Sequence, residues 1–155
     1  MSSVETARTP PARWRSVGSF LVLYTVANVA IPDALWDQVL SVIDSDVHRG
    51  VLSLTGGDGL VKITRPQWRK SAAIIGRRGY PVAAITDHTV TLELTRAASW
   101  LGSNARGFRW RELEAGFDFL GVPTSERAAM REAIEQLRAG VLPLAGALDW
   151  PRGFG

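Results

Sequence analysis

Thr86, Asp87 and His88 are consecutive, and a carboxylate beside an imidazole is the minimal equipment for acid/base chemistry. Neighbouring residues on a helix point in different directions, however, and the sequence places no nucleophile against this pair. The same three residues also suit a helix start, which is the expectation adopted. A second candidate is Thr55-Gly56-Gly57-Asp58-Gly59, since glycine amides ahead of a helix favour anions. It lacks the lysine and hydroxyl of a P-loop and the spacing of a dinucleotide fingerprint, so a surface turn is expected. Thr64 is a third. It is a possible phosphoacceptor or a helix N-cap, and the cap also accounts for Gln67 three residues on.

Metal and thiol chemistry find little support. The chain has no cysteine and two histidines, His48 and His88, which removes disulfides, thiolate catalysis and cysteine zinc sites. No metal or cofactor is expected. The strongest remaining signal is charge. Lys62, Arg65, Arg69, Lys70, Arg77 and Arg78 lie between Asp58 and Asp87 with no acid among them. On a helical wheel Arg65, Arg69, Lys70 and Arg77 share one broad side, opposite an expected apolar line of Trp68, Ala72 and Ile75. These four basic residues are the candidate partner-binding site, to be weighed against a merely solvated face. Asp33, Asp37, Asp44 and Asp46 surround the preceding helix, so an acidic and a basic helix could also drive self-association into a homo-oligomer.

These residues need a scaffold, and 155 residues with 46% hydrophobic and 21% charged content suffice for one globular domain. The net charge of +3 is too small to argue for nucleic acid alone. Residues 1–12 read as a disordered leader, 13–141 as the domain and 142–155 as an irregular tail with three glycines and two prolines. Arg13 and Arg15 before the apolar run Phe20 to Ile31 mimic a signal peptide, but the run is too short to span a bilayer. It reads better as a buried strand, Phe20 to Val26.

Trp14 to Val17 reads as a short edge strand. Val51 to Leu54, Pro81 to Ile85 and Asn104 to Phe108 are the further strands. Helices are expected from Pro32-Asp33 (with Leu35, Val39 and Val42), from the capping box Thr64-Arg65-Pro66-Gln67 to Gly79, around Leu113, Phe117 and Leu120, and from Pro123-Thr124-Ser125 to Gly140. His88 to Leu94 alternates like a strand, yet Val90, Leu94, Ala97 and Leu101 fit one helix face. A helix capped by Thr86-Asp87 is the reading taken. Strand and helix alternate, which implies an α/β fold: a single mixed sheet of four to five strands covered by helices.

Two stretches resemble the STAS-like superfamily, the fold of sulfate-transporter tails and anti-sigma-factor antagonists. One is Val51-Leu52-Ser53-Leu54-Thr55-Gly56. The other is Ala84-Ile85-Thr86-Asp87 with its helix ending Ala98-Ser99-Trp100-Leu101-Gly102. Arg111-Glu112-Leu113-Glu114-Ala115 leading to Phe119-Leu120-Gly121 resembles the closing helix of uncharacterised bacterial members. The resemblance spans about Phe20 to Val122. It implies a STAS-like fold and a cytoplasmic, non-enzymatic regulatory module that binds a protein partner with an acidic surface across the second helix and its preceding loop. In anti-sigma antagonists the second helix opens on Asp-Ser/Thr-Ser/Thr-Gly and a serine is phosphorylated. Here that stretch is Lys62-Ile63-Thr64-Arg65-Pro66, and only Thr64 could stand in. The rival expectation is a small-ligand or lipid-binding domain with a pocket between sheet and helices. No membrane span and no nucleic acid are expected, the latter because aromatic side chains for base stacking do not interleave with these arginines.

Overall fold

The computed structural model describes residues 10–56, 59, 61–93 and 104–140. The leader before residue 10 and the tail from 142 lie outside these described residues, as does most of the helix expected to end at Gly102. Five strands form one mixed sheet in the order β1 (Ala12–Val17), β2 (Phe20–Thr25), β3 (Gly50–Thr55), β4 (Val82–Ile85) and β5 (Ala105–Phe108). β1 and β2 form an antiparallel hairpin turned at Gly18, whose φ of +56° suits a residue without a side chain. The remaining neighbours pair in parallel.

Strand 1 starts earlier than the sequence suggests. The hairpin register carries pairing out to Ala12 opposite Thr25, and Ala12 is buried. Four helices have both ends among the described residues: α1 (Asp33–Ile43), α2 (Arg65–Arg78), α3 (Leu113–Leu120) and α4 (Thr124–Arg138). A 3-10 turn, Trp110–Glu112, leads into α3.

Side chains alternate across the sheet and build two cores. Phe20, Val22, Leu52, Leu54, Ala83 and Ile85 face α3 and α4, where Phe117, Met130, Ile134 and Leu137 meet them. Leu21, Leu23, Val51 and Val82 face α1 and its Leu35, Trp36, Val39, Leu40 and Ile43. Internal parallel strands are covered on both sides, which is why Phe20 to Thr25 is nearly all apolar.

Helix α2 departs from expectation. Its one fully buried residue is Gln67; Trp68 and Ala72 face outward. The inward side is Gln67, Ser71, Ile74, Ile75 and Arg78, so only Ile75 of the expected apolar line turns in. The cause is rotational. Each helical residue turns about 100° from the last, and the polar side chain of Gln67 fixes the inward direction. Trp68 is then swung off the sheet.

Residues 89–93 are helical, which agrees with the helix reading there. Val90 is exposed and Leu92 buried, the reverse of the expected face. The helix is started by His88 itself: its Nδ1 accepts from the Thr91 amide at 3.2 Å, one turn on. That capping geometry turns Leu92 inward.

Candidate interaction surface

The start of α2 is held by a reciprocal pair. Thr64 Oγ1 accepts from the Gln67 amide at 3.2 Å, and Gln67 Oε1 accepts from the Thr64 amide at 2.8 Å. Two of the amides left free at a helix start are thereby satisfied. Thr64 is thus engaged as a cap. The amide end of Gln67 continues to α1, donating to Ile31 O at 2.8 Å and to Asp33 Oδ1 at 2.9 Å. Trp36 Nε1 closes the contact from the other side, donating to Ser71 Oγ at 3.0 Å and Gln67 O at 3.2 Å.

The basic block divides. Lys70 meets Asp37 at 3.2 Å, Arg77 meets Asp44 at 2.7 Å, and Arg78 meets Asp44 at 2.8 Å as well as Asp46. The expectation of uncompensated charge is therefore corrected for Lys70, Arg77 and Arg78. Their acids lie about 33 positions away on α1 and the turn after it, a pairing that inspection of the local sequence does not reveal. The acidic and basic helices satisfy each other within one chain, which removes the charge argument for self-association. Hydrogen bonds from Arg77 and then Arg78 hold the Asp44 carboxyl below its ordinary range. Hydrogen bonds that it donates to Asp46 and Asp44 raise the Arg78 guanidinium above its own.

Arg65 and Arg69 remain without an acidic partner among the described residues. Both are exposed, as are Ala72, Ala73 and Trp68, which is 55% exposed. The outer face of α2 is thus an indole flanked by two arginines above small residues. Sequence reasoning missed Trp68 because an i, i+4, i+7 apolar series fits a core line equally well. The one clue was Gln67, a polar residue whose capping role fixes the helix rotation.

The glycine loop does not show a phosphate cradle. Gly57 and Asp58 lie outside the described residues. A side chain on Gly56 would strike the Tyr24 hydroxyl, and one on Gly59 would strike Ala27. Both glycines permit close packing against the end of β2 and the residues that follow it. Asp87 and His88 are no acid/base pair. Asp87 Oδ1 accepts from the Trp110 amide at 3.1 Å, while His88 turns back to Thr91. Thr86 Oγ1 accepts from the His88 amide at 3.0 Å, ahead of the helix, so the cap expected of Thr86-Asp87 is supplied by His88 instead.

Among the described residues there is no group of three or more histidines, aspartates or glutamates able to hold a metal ion. None of their helices is long and apolar enough to cross a membrane. No family model matches the chain, and no curated protein matches it. Among solved structures it is similar to an enoyl-CoA hydratase from Shewanella pealeana, at 12% identity over 92% of this chain and 70% of that one. The TM-score is 0.36, an overlap too loose to define a shared fold or chemistry.

Proposed function

We propose that this α/β domain is a STAS-like regulatory module that binds an acidic protein surface through the outer face of α2. One observation carries the reading: Trp68 stands exposed between Arg65 and Arg69, which have no acidic partner among the described residues. Tryptophan and arginine dominate the energetic centres of protein interfaces, and the cost of leaving an indole in water is recovered when a partner covers it. Gln67 and Trp36 anchor the opposite side of the helix, so the face is presented without prior ordering. A cysteine-free chain suits a reducing cytoplasm, where such a partner would be met.

The exposed indole also removes the reason for dismissing nucleic acid, since an aromatic does interleave with these arginines. One stacking side chain and two free cations still fall short of the series of platforms that single-strand binders use. Affinity capture from native extract tests the proposal, with the charge-reversed variant Trp68→Ala/Arg65→Glu/Arg69→Glu as control. A protein partner retained by the wild type and lost by the variant is expected, with association slowing as salt rises. Equal retention by both proteins, or recovery of oligonucleotides alone, defeats it.

A further inference from the structure

The far side of the sheet carries a separate feature. A cleft of about 560 Å³ opens between the approach to α3 and the later turns of α4. Leu113 and Ile134 give it apolar lining, Trp110 forms a wall, and Arg111, Arg131 and Arg138 complete it together with one acid, Glu135. Its volume lies in the range of small-molecule sites, roughly 300 to 1,000 Å³. We propose that this cleft binds a small organic anion with a flat apolar body, such as an aromatic carboxylate or sulfonate.

Three observations point the same way. The first is position. Trp110 follows the carboxyl end of β5, and its Nε1 donates to Thr55 O at the carboxyl end of β3 at 2.8 Å. Open sheets of parallel strands take their ligands beyond these ends. The second is rigidity. The indole bond to Thr55 and the backbone bond to Asp87 hold Trp110 at both its ring and its main chain. A fixed aromatic wall costs little entropy on binding.

The third is charge. Arg138 lies 4.7 Å over the Trp110 ring and only 3.6 Å from Glu135. Arg131 pairs with Glu114, and Arg111 is exposed with no acidic partner among the described residues. Three arginines against two glutamates leave the rim positive, and guanidinium forks match the paired oxygens of a carboxylate or sulfonate. This site is independent of the α2 face, on the opposite side of the sheet.

The experiment uses the full chain and 8-anilinonaphthalene-1-sulfonate, an anionic aromatic fluorophore. The expected result is saturable single-site enhancement, with the Trp110 indole N–H shifted in the NMR spectrum. The neutral analogue N-phenyl-1-naphthylamine should bind at least about tenfold more weakly, as should the sulfonate to Arg111→Ala/Arg138→Ala. Arg111→Glu, a single change at an exposed residue, should weaken it as well without disturbing the far-UV spectrum. Trp68→Ala should leave the signal intact. Absence of binding, equal binding of the neutral probe, indifference to the arginine changes, or loss of the signal in Trp68→Ala each overturns the proposal.

Discussion

The side-chain amide of Gln67 bridges two helices, donating to the Asp33 carboxylate at the first turn of α1 from the first turn of α2. Gln67 is 3% exposed and satisfies the Ile31 carbonyl and the Thr64 amide as well. Gln67→Ala leaves the buried Ile31 carbonyl unpaired and removes the bonds to Thr64 and Asp33, and should lower stability by about 2 kcal/mol in denaturant melts. Gln67→Glu should be worse at neutral pH, because a second carboxylate then faces Asp33 and the Ile31 carbonyl. Burial and Asp33 would raise the pKa of that glutamate in the folded state. Its deficit should therefore shrink as pH falls through the raised pKa. A glutamate variant as stable as wild type at pH 7 contradicts the bridge.

Thr64 is the other half of the capping box. Thr64→Ala should lose about 1 kcal/mol, and Thr64→Asp should fold with near-wild-type stability, since aspartate is an equally good N-cap. Thermal melts of the two variants measure this directly. A phosphoswitch makes a different forecast: Thr64→Asp would abolish partner capture while leaving the melt unchanged. The cap result is expected, with capture preserved.

What the sequence revealed follows from how local each signal is. The strand runs at Phe20, Val51 and Val82 are legible because internal parallel strands are continuously apolar, and the capping box is legible because Thr64 and Gln67 are three residues apart. The rotation of α2 was not, because it depends on Gln67 reaching Ile31 and Asp33, 36 and 34 positions away. The neutralisation of Arg77 and Arg78 by Asp44 fails the same way, and so does the cleft, whose walls come from the 3-10 turn, α3 and α4. Half of the candidate partner-binding set, Arg65 and Arg69, remains without an acidic partner among the described residues; the other half, Lys70 and Arg77, pairs with Asp37 of α1 and with Asp44 just after it.

His48 offers a pH-dependent test. Its Nδ1 donates to Val42 O at 3.2 Å, so in the neutral ring Nε2 accepts from the Ser16 hydroxyl at 2.8 Å. Burial lowers its pKa below the ordinary value. The unfolded chain then binds a proton more readily than the folded one, so stability is full above about pH 6.5 and declines as pH falls toward the lowered folded value. Denaturant midpoints between pH 7.5 and pH 5 (approximate limits bracketing that ordinary value) should show this decline in the wild type and a flatter profile in His48→Gln. Parallel profiles would mean that His48 titrates alike in both states.

Trp36 and Trp68 make the sharpest contrast, because both follow the opening turn of their helices and only one belongs to the core. Trp36 is 5% exposed and donates to Ser71 and Gln67; Trp68 is 55% exposed, and its indole makes no hydrogen bond among the described residues. Trp36→Phe keeps much of the apolar volume but removes the donor and part of the ring, and should cost about 1–2 kcal/mol. Trp68→Ala should change stability by less than about 0.5 kcal/mol, as exposed positions generally do. Fluorescence separates them independently: Trp68→Phe should remove red-shifted, readily quenched emission, whereas Trp36→Phe should remove blue-shifted emission shielded from acrylamide. If Trp68→Ala proves as destabilising as a core truncation, α2 is rotated the other way, and the interaction surface built on its outer face goes with it.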